Sequence, residues 1–261
     1  MTAWKLIDAN YSQIKGAQFE VAVLPLGATE PHNLHLPYGT DTYEGTIIGE
    51  HVCRAAANQG ARVVLLPTIP YGTETNLREF PLAINVNPST LNQVVFDIVE
   101  SLAHSGIRKL VLLNSHGGND LKPLLRELFG RTPVHVFLCN WYHVIRDVYA
   151  QIFTRPDDHA GEMETSLALA YFPNLVAKNA DGSLAADEGT VCPFRFRALS
   201  EGWVSITRPW HLLTTNSGAG NPSAASAAQG KHVMAQLEQR IGQFLVELSE
   251  SPIDDLFPFE R

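Results

Sequence analysis

The chain of 261 residues is poor in cysteine: Cys53, Cys139 and Cys192 stand far apart and in no C-x-x-C spacing. Three such thiols exclude a disulfide framework and a thiolate metal cage, and they predict a reducing, cytoplasmic setting. No run of about 18 uninterrupted apolar residues occurs, so no membrane span and no membrane partner are expected. The opening stretch "MTAWKLIDANYSQIKG" lacks the apolar core of a secretory signal. Basic residues are scarce, 19 Lys and Arg against 27 Asp and Glu, and they nowhere cluster. That excludes a surface tracking a phosphate backbone, so nucleic acid is not an expected partner. The net charge of −8 is compatible with cation binding. Repeats, low-complexity tracts and linkers are also missing, which predicts a single domain over residues 1–261.

What is present is an alternation. The runs "VAVLPLG" (21–27), "RVVLLPTIPYG" (62–72), "RKLVLLNSHGG" (108–118) and "VHVFLCN" (134–140) are short, rich in Val and Leu, and almost free of charge. Strands covered on both faces read this way. Amphipathic stretches near 43–58, 88–105, 119–130 and 141–153 predict helices between them, the second capped by Asn87 with Pro88 at its first position. "GEMETSLALAYFP" predicts a buried helix stopped by Pro173, residues 174–215 predict loops and a hairpin, and the stretch from Asn221 onward predicts a long terminal helix weakened at Gly230. The pattern is α/β: a sheet of mainly parallel strands flanked by helices on both faces. In such sheets ligands sit beyond the carboxyl ends of the strands, and three of the four runs pass directly into the polar segments "GATEPH", "PYGTET" and "NSHGGN".

Glu30, His32 and Asp41 follow the first strand, and His116 follows the third. Carboxylates mixed with imidazoles suit Zn, Mn or Fe, and an aspartate between two such sets suits a pair of ions. Glu164, with Glu162 beside it, opens a helix that is otherwise almost wholly apolar. Acids near a helix N-terminus are favoured by its dipole, which accounts for Glu162. Glu164 shares the apolar face of residues 167, 168 and 171, so it needs a metal or a cationic partner. His159, just before that helix, is placed for proton transfer. His35 lies between two leucines and reads as packing, Cys139 as core, and His104, His135 and His143 as structural.

Taken together, these segments resemble the creatininase (creatinine amidohydrolase) family. "EPHNLHLPYGTD" matches the spacing of its motif E-x-H-G-x-H-L-P-x-x-T-D, with Asn33 where glycine is usual. "NSHGGN" matches N-x-H-G-G-N, "HAGEMETS" matches H-A-G-x-x-E-T-S, and "NSGAGNPSAASAAQG" follows a looser fourth signature. The resemblance implies metal ligation by Glu30, His32, Asp41 and His116, with Asp41 bridging two divalent ions, and a catalytic role for His159. Creatininase itself has a further glutamate ligand two residues after the histidine matched by His116. Gly118 stands there in this chain, which leaves Glu164, with Glu162 next to it, as the substitute. Trp141, Gly117 and Gly118 are then expected to line the substrate pocket. The segment "TETNLREFPLAINV" departs from the family's histidine and F-P-G-T and implies a diverged specificity, with Arg78 and Glu79 available to a charged substrate. The implied function is a metal-dependent amidohydrolase acting on a small, cyclic amide or another C–N bond, in a homohexamer. Deformylation, peptide trimming, ring opening of a keto-cyclitol, or metal or ligand binding without catalysis are the alternatives.

Overall fold

The apolar runs form four strands: β1 (Val21–Leu26), β2 (Val63–Leu65), β3 (Lys109–Asn114) and β4 (His135–Asn140). This is a computed structural model and describes residues 3–260. The helices are α1 (Tyr11–Ile14), α2 (Thr40–Asn58), α3 (Pro88–His104), α4 (Lys122–Leu128), α5 (Trp141–Val144), α6 (Tyr149–Ile152), α7 (Glu162–Tyr171), α8 (Arg197–Ser200), α9 (Trp210–Leu213) and α10 (Ala227–Glu250). All strand pairings are parallel, in the order β2-β1-β3-β4, with Val21 opposite both Val63 and Lys109.

Alternation along each strand sorts the core into two layers. Val21, Val23, Val63, Leu65, Val111 and Leu113 face α2 and α10, where they meet Ile48, Val52, Leu237 and Ile241. Ala22, Leu24, Leu26, Val64, Leu110 and Leu112 face Leu91, Val95 and Val99 of α3 and Leu124 and Leu128 of α4. Burial on both faces is why these strands carry almost no polar residues. One exception is structural: Lys109 at the start of β3 is buried and donates to the carbonyls of Leu248 (2.7 Å) and Ser251 (2.6 Å), tying the sheet to the end of α10.

Three expectations need correction. The stretch 141–153 is two short helices, because the Val144 carbonyl accepts from Arg240 Nη1 (2.7 Å) in place of a continuing helical partner. Asn87 precedes α3, but its side chain accepts from Asn85 Nδ2 and caps nothing, so Pro88 alone marks the start. The hairpin expected within 174–215 shrinks to a single bridge between Lys178 and Leu184. Gly230 sits inside α10 without breaking it. A Cβ there would overlap the backbone carbonyl of Ser166, so glycine is what lets α10 and α7 cross in near contact.

The strand order places β2 on one side of β1 and β3 on the other. The crossover direction therefore reverses between β1 and β3, and a crevice opens at their carboxyl ends.

Candidate metal centre

Two loops meet at that crevice. After β1 the chain turns back on itself, with Glu30 N donating to Tyr38 O (3.0 Å) and Leu36 N to His32 O (3.3 Å). Asn33 adopts φ 54° in this turn, a left-handed conformation that Asn tolerates and Gly adopts freely. Its side chain is fixed by donation from Nδ2 to Asp187 O (2.9 Å). Helix α2 begins directly afterwards and carries Asp41 in its first turn. At the end of β3, the fully buried Asn114 organises the second loop. Its Nδ2 donates to His116 O and to Asn140 Oδ1 (both 2.8 Å), and its Oδ1 accepts from Asn119 Nδ2 (3.1 Å).

The side chains these loops present converge. Asp41 Oδ1 lies 3.1 Å from His32 Nε2 and Asp41 Oδ2 lies 2.9 Å from His116 Nδ1, so the two oxygens of one carboxylate face two different imidazoles. Glu30 Oε1 is 3.0 Å from His116 Nδ1. Donor atoms of His32, Asp41 and Glu164 fall within 4.8 Å of one another, as do those of Glu30, Glu74 and His116. His32 Nδ1 is 3.1 Å from the carbonyl of Glu30, which turns Nε2 inward.

The set fits divalent ions. Glu30 Oε2 is buried and has no hydrogen-bond partner, a costly state for a carboxylate unless a cation satisfies it. Neighbouring ligand atoms around an ion with bonds of about 2.1 Å stand about 3.0–3.4 Å apart, close to the separations between these side chains. Electrostatics agree. Burial, only partly opposed by the charge of His116, pushes the Glu30 carboxyl well above the usual range. Burial likewise raises Glu164 to about 7 against the pull of His32. Burial would raise Asp41 too, but His32 and His116 outweigh it and hold it far below. Burial would lower both imidazoles; the surrounding carboxylates, Asp41 foremost for His32 and Glu30 for His116, reverse this and hold them well above their ordinary value. So many mutually stressed groups in one dry site are what a dication relieves.

His159 stands over the cluster. Its Nε2 is 2.9 Å from Pro31 O, its Nδ1 is 3.8 Å from Glu30 Oε1, and its ring packs 4.1 Å from that of His32 and edge-on to Trp210 at 5.1 Å. Burial, then the neighbouring His32, lowers its pKa to about 3. Glu162, the other acid of α7, is not available to an ion. Its Oε2 accepts from Thr154 N (2.9 Å) and Thr154 Oγ1 (2.7 Å), and its Oε1 from Gln229 Nε2 (2.6 Å). His35 is buried and bonded to Thr165 Oγ1 (2.7 Å), away from the cluster.

A cleft of about 690 Å³ opens on the cluster, lined among others by Trp141, Gly117, Gly118 and Trp210. The indole N–H groups of Trp141 and Trp210 are buried without an acceptor. Sequence reasoning missed Glu74 and Trp210. Glu74 lies in "PYGTET", a strand-end segment whose polarity was itself the signal; Trp210 follows an irregular stretch that offers none.

A buried parallel sheet with a carboxylate–imidazole cluster at its switch point defines an α/β protein that holds its chemistry at the strand ends. The creatininase family, described as creatinine amidohydrolase, matches residues 8–245, and the chain belongs to it. It is 31% identical over 176 residues to the creatinine amidohydrolase of Pseudomonas putida (60% of this chain, 66% of that one). It is 28% identical to the 3-dehydro-scyllo-inosose hydrolase of Thermotoga maritima over 61% of this chain and 52% of that one. The chain thus spans half to just under two thirds of these two relatives. A mycofactocin precursor peptide peptidase of Mycobacterium ulcerans matches more broadly, 28% identical over 82% of this chain and 80% of that one. The provisionally named creatinine amidohydrolase of Bacteroides fragilis superposes with a TM-score of 0.87 at 32% identity, covering 98% of this chain and 100% of that one. Creatininase structures at 22–23% identity, among them one with Mn and one of Zn–Zn type, share the fold at a TM-score of 0.74.

Proposed function

We propose that the protein is a metal-dependent hydrolase cleaving an amide or other C–N bond in a small substrate, with two divalent ions held by Glu30, His32, Asp41, His116 and Glu164. The observation that carries this reading is the placement of Asp41, whose oxygens face separate donor sets at 3.1 and 2.9 Å. Bound ions would supply Lewis-acid polarisation of a carbonyl and a water acidified to near neutrality. The chain's own residues do the rest. His159 donates from Nε2 to Pro31 O, which leaves the Nδ1 lone pair facing the cluster. That geometry lets Nδ1 take a proton from the attacking water and return it to the leaving nitrogen. Trp141 and Trp210 offer indole donors to a substrate oxygen and, with Gly117 and Gly118, shape the wall of the cleft.

Relatives differ in what they cleave, since the site on a fold rather than the fold sets the reaction. The broad match to mycofactocin precursor peptide peptidases supports an amide substrate. Cytoplasmic location and a homohexamer complete the proposal, and exposed Phe196, Trp203, Val204 and Ile206 offer apolar surface for subunit contact. The test is to strip the protein with a chelator, reload it with Mn or Zn, and assay creatinine, N-formyl amides, the mycofactocin precursor peptide and 3-dehydro-scyllo-inosose. Metal-dependent turnover of a C–N substrate is expected. Fully loaded protein inert toward every amide, or active on the inosose alone, would refute it.

A further inference from the structure

Glu74 is fully buried and belongs to no helix or strand, and apart from its contact with His116 neither carboxylate oxygen has a hydrogen-bond partner. Its Oε1 lies 2.9 Å from Nε2 of His116, the edge of that ring opposite to the one facing Glu30 and Asp41. The carbonyl of Thr73 lies 3.2 Å from the same nitrogen. The short segment is held in place from two sides. Thr73 N donates to Asn119 Oδ1 (3.0 Å), Glu74 N donates to Asn85 Oδ1 (2.9 Å), and Val86 N closes onto Gly72 O (2.8 Å). Gly118 makes the approach possible, since a Cβ there would overlap both His116 Nε2 and Thr73 O. The glycine after His116 and the acid on the neighbouring loop are therefore one arrangement: the space a side chain at 118 would take is where the ring edge meets Thr73 and Glu74.

We infer that Glu74 is a positioning residue for His116: with Thr73 O it anchors the Nε2–H, fixing the tautomer whose Nδ1 lone pair points at Glu30 and Asp41. An imidazole that binds an ion through one nitrogen commonly gives its other N–H to a carboxylate or a carbonyl, which sets ring orientation and raises ligand basicity. Here both acceptors stand at the same edge. A Glu74 oxygen also falls within 4.8 Å of donor atoms of Glu30 and His116, so direct ligation is the rival role that the cobalt spectrum separates from positioning. The inference rests on the metal-centre reading above.

Cobalt(II) titration of the intact, metal-stripped protein tests it, read by metal equivalents and by the visible ligand-field spectrum, with thermal melts confirming that each variant is folded. Glu74→Ala should weaken one of the two binding steps by about 10–100-fold while the spectrum at saturation keeps the wild-type band positions. Glu74→Gln, which keeps an acceptor oxygen at the same place, should restore most of the affinity. Affinity unchanged in Glu74→Ala would overturn the role. So would band positions that shift, or an equivalent lost at saturation, in both folded variants, which would make Glu74 a ligand. Wild-type protein that binds no cobalt would refute the metal centre itself, a result distinct from either.

Discussion

His159 and Asp41 divide the work of the site at the scale of single side chains. His159 stands with Glu30 and His32 at donor atoms within 4.8 Å of one another, and the proposal gives it proton exchange rather than ligation, with Nε2 anchored on Pro31 O. His159→Ala should therefore lower turnover by roughly 10²–10⁴-fold and leave metal content, measured by plasma mass spectrometry, as in wild type. Turnover that survives would remove it from proton transfer. Asp41 turns one oxygen to each imidazole, at 3.1 and 2.9 Å. Asp41→Ala should lose at least one of about two equivalents of metal, read by the same measurement. Glu30, His32, Asp41 and His116 were legible in the sequence because they sit at fixed spacing just past uncharged strand runs. Glu74 stood in a polar strand-end segment, but its role was not legible, since its partner His116 is brought to it only by the pairing of β1 with both β2 and β3. Glu164 was legible as an unexplained acid on an apolar helix, and Glu162 was separable from it only once Thr154 and Gln229 were seen to satisfy it.

Helices and loops carry a second set of consequences. Gly230 is poorly suited to a helix interior, and alanine there would gain about 1 kcal/mol in propensity alone. The contact with Ser166 O reverses the sign: Gly230→Ala should destabilise the protein by about 1–3 kcal/mol, read as a lower urea midpoint. A midpoint that rises would mean that α10 and α7 have room to part. The start of α3 was legible because Pro88 fixes it locally, whereas α10 begins at Ala227 rather than near Asn221, capped by Ser226, whose side chain accepts from Gln229 N (3.3 Å). The break between α5 and α6 was not legible, because it depends on Arg240 arriving from α10 to take the Val144 carbonyl (2.7 Å) and the Asp147 carboxylate. The strand order had the same cause: parallel neighbours are chosen by distant segments, not by anything within a run.

Across the whole molecule, the uncharged strands, two-layered core and strand-end loops form one device for keeping charge dry. The same dryness governs the thiols. Burial pushes Cys139 up to about 11 and Cys53 higher still, whereas Cys192 is exposed. At pH 8, iodoacetamide should modify Cys192 first, with Cys139 following as pH rises toward 11. The sign for stability is a loss with alkali, because a thiol whose folded pKa is raised keeps its proton in the native state while the unfolded chain ionises from about pH 8.5. Equal labelling of all three at pH 8, followed by mass spectrometry, would contradict the burial. No helix among the described residues is long and apolar enough to cross a membrane. The central claim, that two donor sets sharing Asp41 grip a pair of cations, is tested most directly by anomalous diffraction from crystals grown with manganese. Two peaks flanking Asp41 are predicted, one against Glu30 and His116 and the other against His32 and Glu164. No peak near Asp41 in well-ordered, manganese-saturated crystals would contradict it.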